Sequence, residues 1–502
     1  MTELASGGRQ RATSLPLVLA LTSVSFFMVA LDALVVVTAL PSIHRSIGGS
    51  IATLEWAVNA YGLTFAAGII TAAAIGDRFG RRRVYVAGLV LFTVSSAACA
   101  LAPNASLLIT ARAVQGLGAA AVTPLALTIL ASAFPVERRG AVVGIFGGIA
   151  GLAVAGGPLV GGIVVQGLDW HWIFWINVPI GLAAAIGSAF FLPSGRGVVP
   201  AGRLDLPAVP LVAGGAAAIA WALIQVGDSG WSDPKAITGF IAGVLLLAGF
   251  VLRERRAAEP MLPLRLFASR TFSAANAAGF LMSGAIFSAA FLTAQYFQLG
   301  LGYSPLATGL RLLPWTATPM VVAPLAGALA DRIGTRPLLV TGLLLQAAGL
   351  AWVASLATTA PSGGYGRFVI PLIIAGIGVS MALPTVPTAT LGAVPAGDVG
   401  RASGVSNTMQ RFGAAFGIAV VGAVFAAHGH FGSVASFTSG YRPAMGVSAV
   451  ISLAGAVAAV AVGRRSGAAA GGPAQDPTPA VVPSHHATSD VPAGVNAGAD
   501  AS

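Results

Sequence analysis

Apolar runs, each long enough to cross a bilayer, alternate along the chain with short polar breaks. The runs fall at 16–40, 52–73, 84–102, 107–133, 140–165, 172–193, 206–226, 236–253, 272–295, 307–330, 337–357, 368–393, 402–427 and 442–462. A helix needs about 20 mostly apolar residues to traverse about 30 Å of hydrocarbon. The pattern therefore predicts an all-α membrane protein with fourteen transmembrane helices. Turn residues mark most breaks: Pro103-Asn104, Gly227-Asp228, Ser304-Pro305 and Pro361 to Gly364. Residues 466–502 are rich in Ala, Gly, Pro, Ser and Asp and have no periodicity. They read as a disordered tail, in which His485 and His486 are solvated rather than metal-bound.

Two breaks carry nearly the same charged signature. One is Ile75-Gly76-Asp77-Arg78-Phe79-Gly80-Arg81-Arg82, the other Leu329-Ala330-Asp331-Arg332-Ile333-Gly334-Thr335-Arg336. A shift of 254 residues lays Asp77 on Asp331 and Gly80 on Gly334. A shift of 260 lays Gly116 and Gly118 on Gly376 and Gly378, Pro124 on Pro384, Pro135 on Pro395 and Gly144 on Gly404. Spans 1–6 thus repeat as spans 9–14, with spans 7 and 8 left between them. The expected organisation is a tail (1–15), a six-helix bundle (16–193), a two-helix insertion with its loops (194–270), a second six-helix bundle (271–462) and a second tail (463–502). A duplicated helical domain with little mass outside the membrane suggests a secondary transporter.

Composition agrees with a chain that faces lipid. Charged residues make up 9% and hydrophobic ones 56%, against roughly 25% charged in soluble domains. The formal net charge is +11. Its distribution matters more than its size. Arg9, Arg11, Arg78, Arg81 to Arg83, Arg138, Arg139, Arg253, Arg255, Arg256, Arg332, Arg336, Arg464 and Arg465 all fall on one side. The positive-inside rule makes that side cytoplasmic and, with an even number of spans, puts both termini there. The basic balance is a topology signal of a plasma-membrane protein, not a nucleic-acid surface. Cys99 is the one cysteine and says nothing about compartment. Val37-Thr38-Ala39 resembles a signal cleavage site, but the run before it is too long for a signal and leads into further spans.

Few residues inside the spans can do chemistry. Asp32 is the only carboxylate near the middle of a span, with Ser25 and Met28 on its face. It can carry a proton; paired with Arg112 it stays ionised until something separates them. Arg112 lies within span 4, with Gln115 and Gly116 on the same face. A cation at the bilayer centre costs at least about 2.5–3.5 kcal/mol, so it faces a partner or a cavity. Glu55, one turn before Asn59, reads as interfacial. Span 13 carries a polar face of Asn407, Gln410 and Arg411, suited to line a cavity together with Met28, Asn59 and Gln115. Arg311 lies early enough in span 10 to snorkel. Trp170, Trp172 and Trp175 read as an interfacial aromatic belt.

Span 5 is built from small residues: Gly144, Gly147, Gly148, Gly151, then Gly156-Gly157-Pro158 and Gly161-Gly162. Such spacing lets helices approach closely, and the proline bends the helix. In the two hinges, glycine allows the tight turn and the arginines anchor it. Asp77 can pair with those arginines, making a latch from Asp77, Arg78, Gly80 and Arg81, repeated at Asp331, Arg332 and Gly334. Lys235 is the one lysine and follows Pro234, so no P-loop is present. Zinc-spaced clusters and a nucleophile elbow are also missing. No enzyme chemistry, cofactor or metal is implied, and energy must come from a gradient or a partner.

These motifs resemble the major facilitator superfamily, in particular its fourteen-span drug/proton antiporter branch of quaternary-ammonium and multidrug exporters. The likeness covers about residues 15–462. It rests on Leu31-Asp32 through Leu40-Pro41, the Asp77 hinge, the Arg112 stretch, Gly156-Gly157-Pro158, and Trp172 through Gly181. The resemblance implies proton-driven export of lipophilic drugs or antibiotics by alternating access; an uptake symporter on the same fold is the alternative. It implies that Asp32 and Arg112 belong to the coupling region, Asp77 and Arg81 to the gate, and Gly157 and Pro158 to the antiporter element. Ala73 stands where the hinge motif usually begins with Gly, and Leu34 and Val37 replace polar residues common after the aspartate. Spans 9–14 hold no second carboxylate, so neutral or monocationic substrates are expected.

Overall fold

The computed structural model describes residues 14–48, 51–135, 149, 152–153, 156–193, 207–257, 260, 262, 264–358, 364–395, 398–430 and 433–463. The first helices are α1 (Leu15–Ile47), α2 (Ile51–Phe79), α3 (Arg81–Ala100) and α4 (Ala105–Ala133). Residues 156–167 form α5, followed by α6 (Trp172–Trp175), α7 (Asn177–Phe191), α8 (Ala208–Ser229) and α9 (Pro234–Arg256). The second half holds α10 (Arg270–Gln295), α11 (Pro305–Thr316), α12 (Thr318–Ile333), α13 (Thr335–Leu356), α14 (Gly366–Leu391), α15 (Val399–His428) and α16 (Val434–Val460). Thirteen spans among the described residues are long and apolar enough to cross a membrane. The remaining expected span, 140–165, is described only in part: Gly144, Gly147, Gly148 and Gly151 lie outside the described residues, as do Arg9, Arg11, Arg138, Arg139 and residues 464–502.

Local chemistry sets the ends. The side chains of Asn104, Asp233, Ser269, Ser304 and Ser433 each accept from a backbone amide in the turn they open, satisfying a donor that has no partner within the helix. Gly80 (φ 106°) and Gly334 (φ 86°) separate α2 from α3 and α12 from α13. Both take a backbone conformation that L side chains avoid, which is what an abrupt reversal between adjacent helices requires.

Two expected single spans are broken. The run 307–330 divides at Ala317 into α11 and α12, because Pro314 and Pro319 remove amide donors on either side of the break. The run 172–193 divides at Ile176, and Pro179 falls in the first turn of α7, where a missing N–H does no harm. The last span starts earlier than its apolar run. Ser433 caps it, and Thr438 Oγ1 bonds to Val434 O at 2.8 Å, so the helix satisfies its own hydroxyl.

The duplication read from the sequence recurs as paired contacts. A Cβ on Gly116 would strike Thr64 Oγ1 and Tyr61 O; one on Gly376 would strike Thr318 Oγ1 and Trp315 O. Thr64 bonds to Ala60 O at 2.9 Å and Thr318 to Pro314 O at 2.6 Å. Gly88 faces the carbonyl of Gly118, and Gly342 faces that of Gly378. Every pair is related by the same 254 and 260 shifts. α8 packs between the halves, against Leu63, Ala66 and Ala67 of α2 and Phe412, Ala415 and Ala419 of α15.

Candidate functional site

Polar side chains from α1, α3, α4 and α7 converge in the interior of the first half. Asp32 and Arg112 are each 1% exposed. Arg112 Nη1 donates to Asp32 Oδ2 at 2.5 Å and to Gln115 Oε1 at 2.7 Å, and Arg112 Nε donates to Ala57 O at 3.1 Å. The other carboxylate oxygen, Oδ1, accepts from Gln115 Nε2 at 3.0 Å and Asn177 Nδ2 at 2.8 Å. Both amides also donate to Ser96 Oγ, at 2.9 and 3.0 Å, and Ser96 donates to Phe174 O at 3.3 Å. The Arg112 guanidinium lies 4.3 Å from the Tyr61 ring centroid. Its Nη2 is buried with no hydrogen-bond partner among the described residues.

A bare carboxylate in this setting would be prohibitively desolvated. Here one cation and two amides compensate it. Removing one member of a buried pair typically costs about 3–5 kcal/mol.

α5 ties this site to the second half. A Cβ on Gly157 would lie 2.6 Å from Leu34 Cβ, and one on Gly161 would lie 2.7 Å from Val35 O and clash with Thr38. On its other side, Gly162 meets Pro305 and Leu306, and Gly309 of α11 meets the Pro158 carbonyl. A Cβ on Gly156 would meet nothing within 4 Å among the described residues. Leu34 thus fills a groove that the α5 glycines leave open. In the first hinge, Arg81 Nε donates to Asp77 Oδ1 at 2.7 Å, and Arg82 Nη1 donates to Leu192 O at 3.0 Å. Arg78 stands 5.6 Å from the Phe79 ring. In the second hinge Arg332 is exposed, and the Asp331 side chain lies outside the described residues.

Other sequence candidates are dispersed. Met28 is buried in the apolar core with Tyr61 and Phe65. Asn59 is 1% exposed, and neither amide atom has a hydrogen-bond partner among the described residues. Asn407 is exposed and donates to Ser403 O at 2.9 Å. Gln410 donates to Ser406 Oγ at 3.4 Å, and Arg411 lies 4.4 Å from the Phe65 ring centroid. Glu55, at the start of its span, is buried against Gly422, which has no side chain to oppose it. One reading needs correction. Trp170 is buried and stacks on His171, so of the three tryptophans it does not belong to a belt. Arg311 reaches toward the start of its helix: its guanidinium lies 3.9 Å from the Tyr303 ring and donates to Ala307 O at 3.1 Å. Asn177, Ser96 and Tyr61 escaped the sequence reading. Asn177 sits in the Trp172–Gly181 stretch, which carried the resemblance without singling out this residue.

The model of the Major Facilitator Superfamily matches residues 22–417 and 276–491. The chain belongs to the Major Facilitator Superfamily. Within the superfamily it is similar to the tetracenomycin C resistance and export protein of Streptomyces glaucescens, 35% identical across 80% of this chain and 74% of that one. It is also 35% identical to the multidrug resistance protein Stp of Mycobacterium tuberculosis, across 82% of this chain and 76% of the other. The methylenomycin A resistance protein of Streptomyces coelicolor is 34% identical across 84% and 88%. A solved peptide transporter of the POT family, bound to sulfate, superposes with TM-score 0.64 at 18% identity over 90% of this chain and 95% of its own, a likeness of fold alone.

Proposed function

We propose that this membrane transporter is a proton-coupled exporter of small lipophilic drugs or antibiotics, neutral or monocationic, that works by alternating access. The observation that carries the reading is the buried Asp32–Arg112 pair with its Gln115, Asn177 and Ser96 shell. A lone ionisable acid held by a cation inside an apolar bundle is the minimum device for trading a proton against cargo. The relatives' roles in drug resistance and export support the direction of transport. In this reading bundles 16–193 and 271–462 rock against each other, the segment 194–270 packs at their seam, and the Asp77 and Asp331 hinges hold the arginine-rich end. That end is cytoplasmic, together with both termini, and the protein lies in the plasma membrane. The proton gradient replaces any cofactor.

The test is efflux of a fluorescent drug from loaded cells, with and without a protonophore. Collapse of the gradient should abolish export. Efflux indifferent to the protonophore defeats proton coupling, and inward movement of solute together with protons makes the protein a symporter.

A further inference from the structure

We propose that Arg411 sets the charge selectivity of the pathway: its favoured cargo is a neutral lipophile rich in hydrogen-bond acceptors, and lipophilic cations are turned away. The inference rests on the exporter reading and narrows it.

Arg411 belongs to α15 in the second half, but its guanidinium lies over Phe65 of α2 in the first. Phe65 packs edge-on against Tyr61, whose ring carries Arg112. Two guanidiniums, one from each half, therefore sit on successive aromatic rings of one helix. Their charges are handled differently. Arg112 is neutralised by Asp32, whereas Arg411 takes part in no ion pair among the described residues. Glu55 is ten residues from Phe65, about 15 Å along α2. Among the described residues, the mid-depth of the seam between the halves thus carries one uncompensated positive charge.

α15 meets α8 through Phe412, Ala415 and Ala419, while Arg411 lies over Phe65 of α2. Arg411 is only partly buried, and Asn407, one turn away, is exposed. Gly404, a further turn along, packs on α2: a Cβ there would meet Ile70 at 3.4 Å. Asn407 and Arg411 thus form a polar strip on α15 beside that contact with α2. Under the 260 shift, Asn407 and Arg411 correspond to Gly147 and Gly151, so the first half presents no such group. A guanidinium stacked on an aromatic face still offers N–H donors at its edge, which suit carbonyl, ether and phenol oxygens. A cation passing the same strip meets repulsion at low effective dielectric, on the order of tenfold in affinity at about 10 Å.

The experiment uses the full chain in proteoliposomes under a proton gradient, with Nile red as neutral, carbonyl-bearing probe and ethidium as monocation. Wild type should favour Nile red. Arg411→Gln should raise the ethidium-to-Nile-red rate ratio about tenfold, and Arg411→Lys, which keeps the charge, should hold the wild-type ratio. Asn407→Asp, which brings a carboxylate one turn from Arg411 without removing it, should shift the ratio as Arg411→Gln does. This second variant decides the matter if Arg411→Gln does not fold. An unchanged ratio in both neutralising variants, or the same shift in Arg411→Lys, overturns the proposal while leaving the exporter reading intact. Wild type that moves neither probe under the gradient overturns the exporter reading and this inference with it.

Discussion

Asp32 and Arg112 stabilise each other only as a pair. Each is buried deeply enough that, alone, it would be an uncompensated charge in an apolar bundle. Asp32→Asn should abolish proton-driven export. It should also lower the thermal unfolding temperature, because Arg112 then keeps only neutral partners. The double variant Asp32→Asn, Arg112→Gln removes both charges and should recover most of the lost stability, about 3–5 kcal/mol, without recovering transport. Thermal unfolding in detergent and efflux in cells, measured on the same variants, separate the two effects. Normal export by Asp32→Asn would remove Asp32 from the mechanism. Arg112 and Gln115 have Leu372 and Ala375 as their counterparts in the second half under the 260 shift, and α10 holds no acid. The duplication thus supplied two scaffolds, and the Asp32–Arg112 pair lies in the first of them alone.

At the scale of the helix, glycine decides how close neighbours come. α5 runs between α1 and α11, and its contacts alternate with its glycines. Gly157 has Leu34 against it, Gly161 has Val35 and Thr38, Gly162 has Pro305, and Gly156 has open space. Neighbouring glycines should therefore respond oppositely. Gly157→Val pushes α1 away and should lower stability by about 1–3 kcal/mol, with loss of export. Gly156→Ala meets nothing and should be neutral or stabilising by about 0.4–1 kcal/mol. Thermal unfolding of the two variants checks this; equal effects would mean that the α1–α5 packing does not depend on the groove. The hinges act at the same scale. In the first hinge the Asp77–Arg81 pair is partly exposed and contributes little by itself, so positive-φ Gly80 is the stronger constraint there.

Across the whole molecule, the halves meet at the arginine-poor end. Gln298 Nε2 donates to Thr38 O at 2.9 Å, and Leu306 N donates to Gln166 Oε1 at 3.2 Å. The backbones also close together where Gly162 meets Pro305. Under alternating access this end must open to release cargo. In a Cys99→Ser background, Gln166→Cys with Leu306→Cys should form an oxidant-dependent crosslink that stops export, and a reductant should restore it. Undiminished export after complete crosslinking would show that this end stays shut during transport.

The spans, the arginine asymmetry, the repeat frame and the isolation of Asp32 and Arg112 were legible along the chain. Each is a matter of local composition or spacing, imposed by lipid on whatever enters it. The shell around Asp32 was not legible. Its contacts join residues 80, 83 and 145 positions apart, and Asn177 and Ser96 are ordinary polar residues until helices α3 and α7 bring them to one carboxylate. The burial of Glu55 against Gly422, the breaks in spans 6 and 10, and the reach of Arg411 to Phe65 also belong to packing. A one-dimensional pattern records which residues lipid will tolerate; only the assembled helices decide which of the tolerated polar groups must satisfy one another.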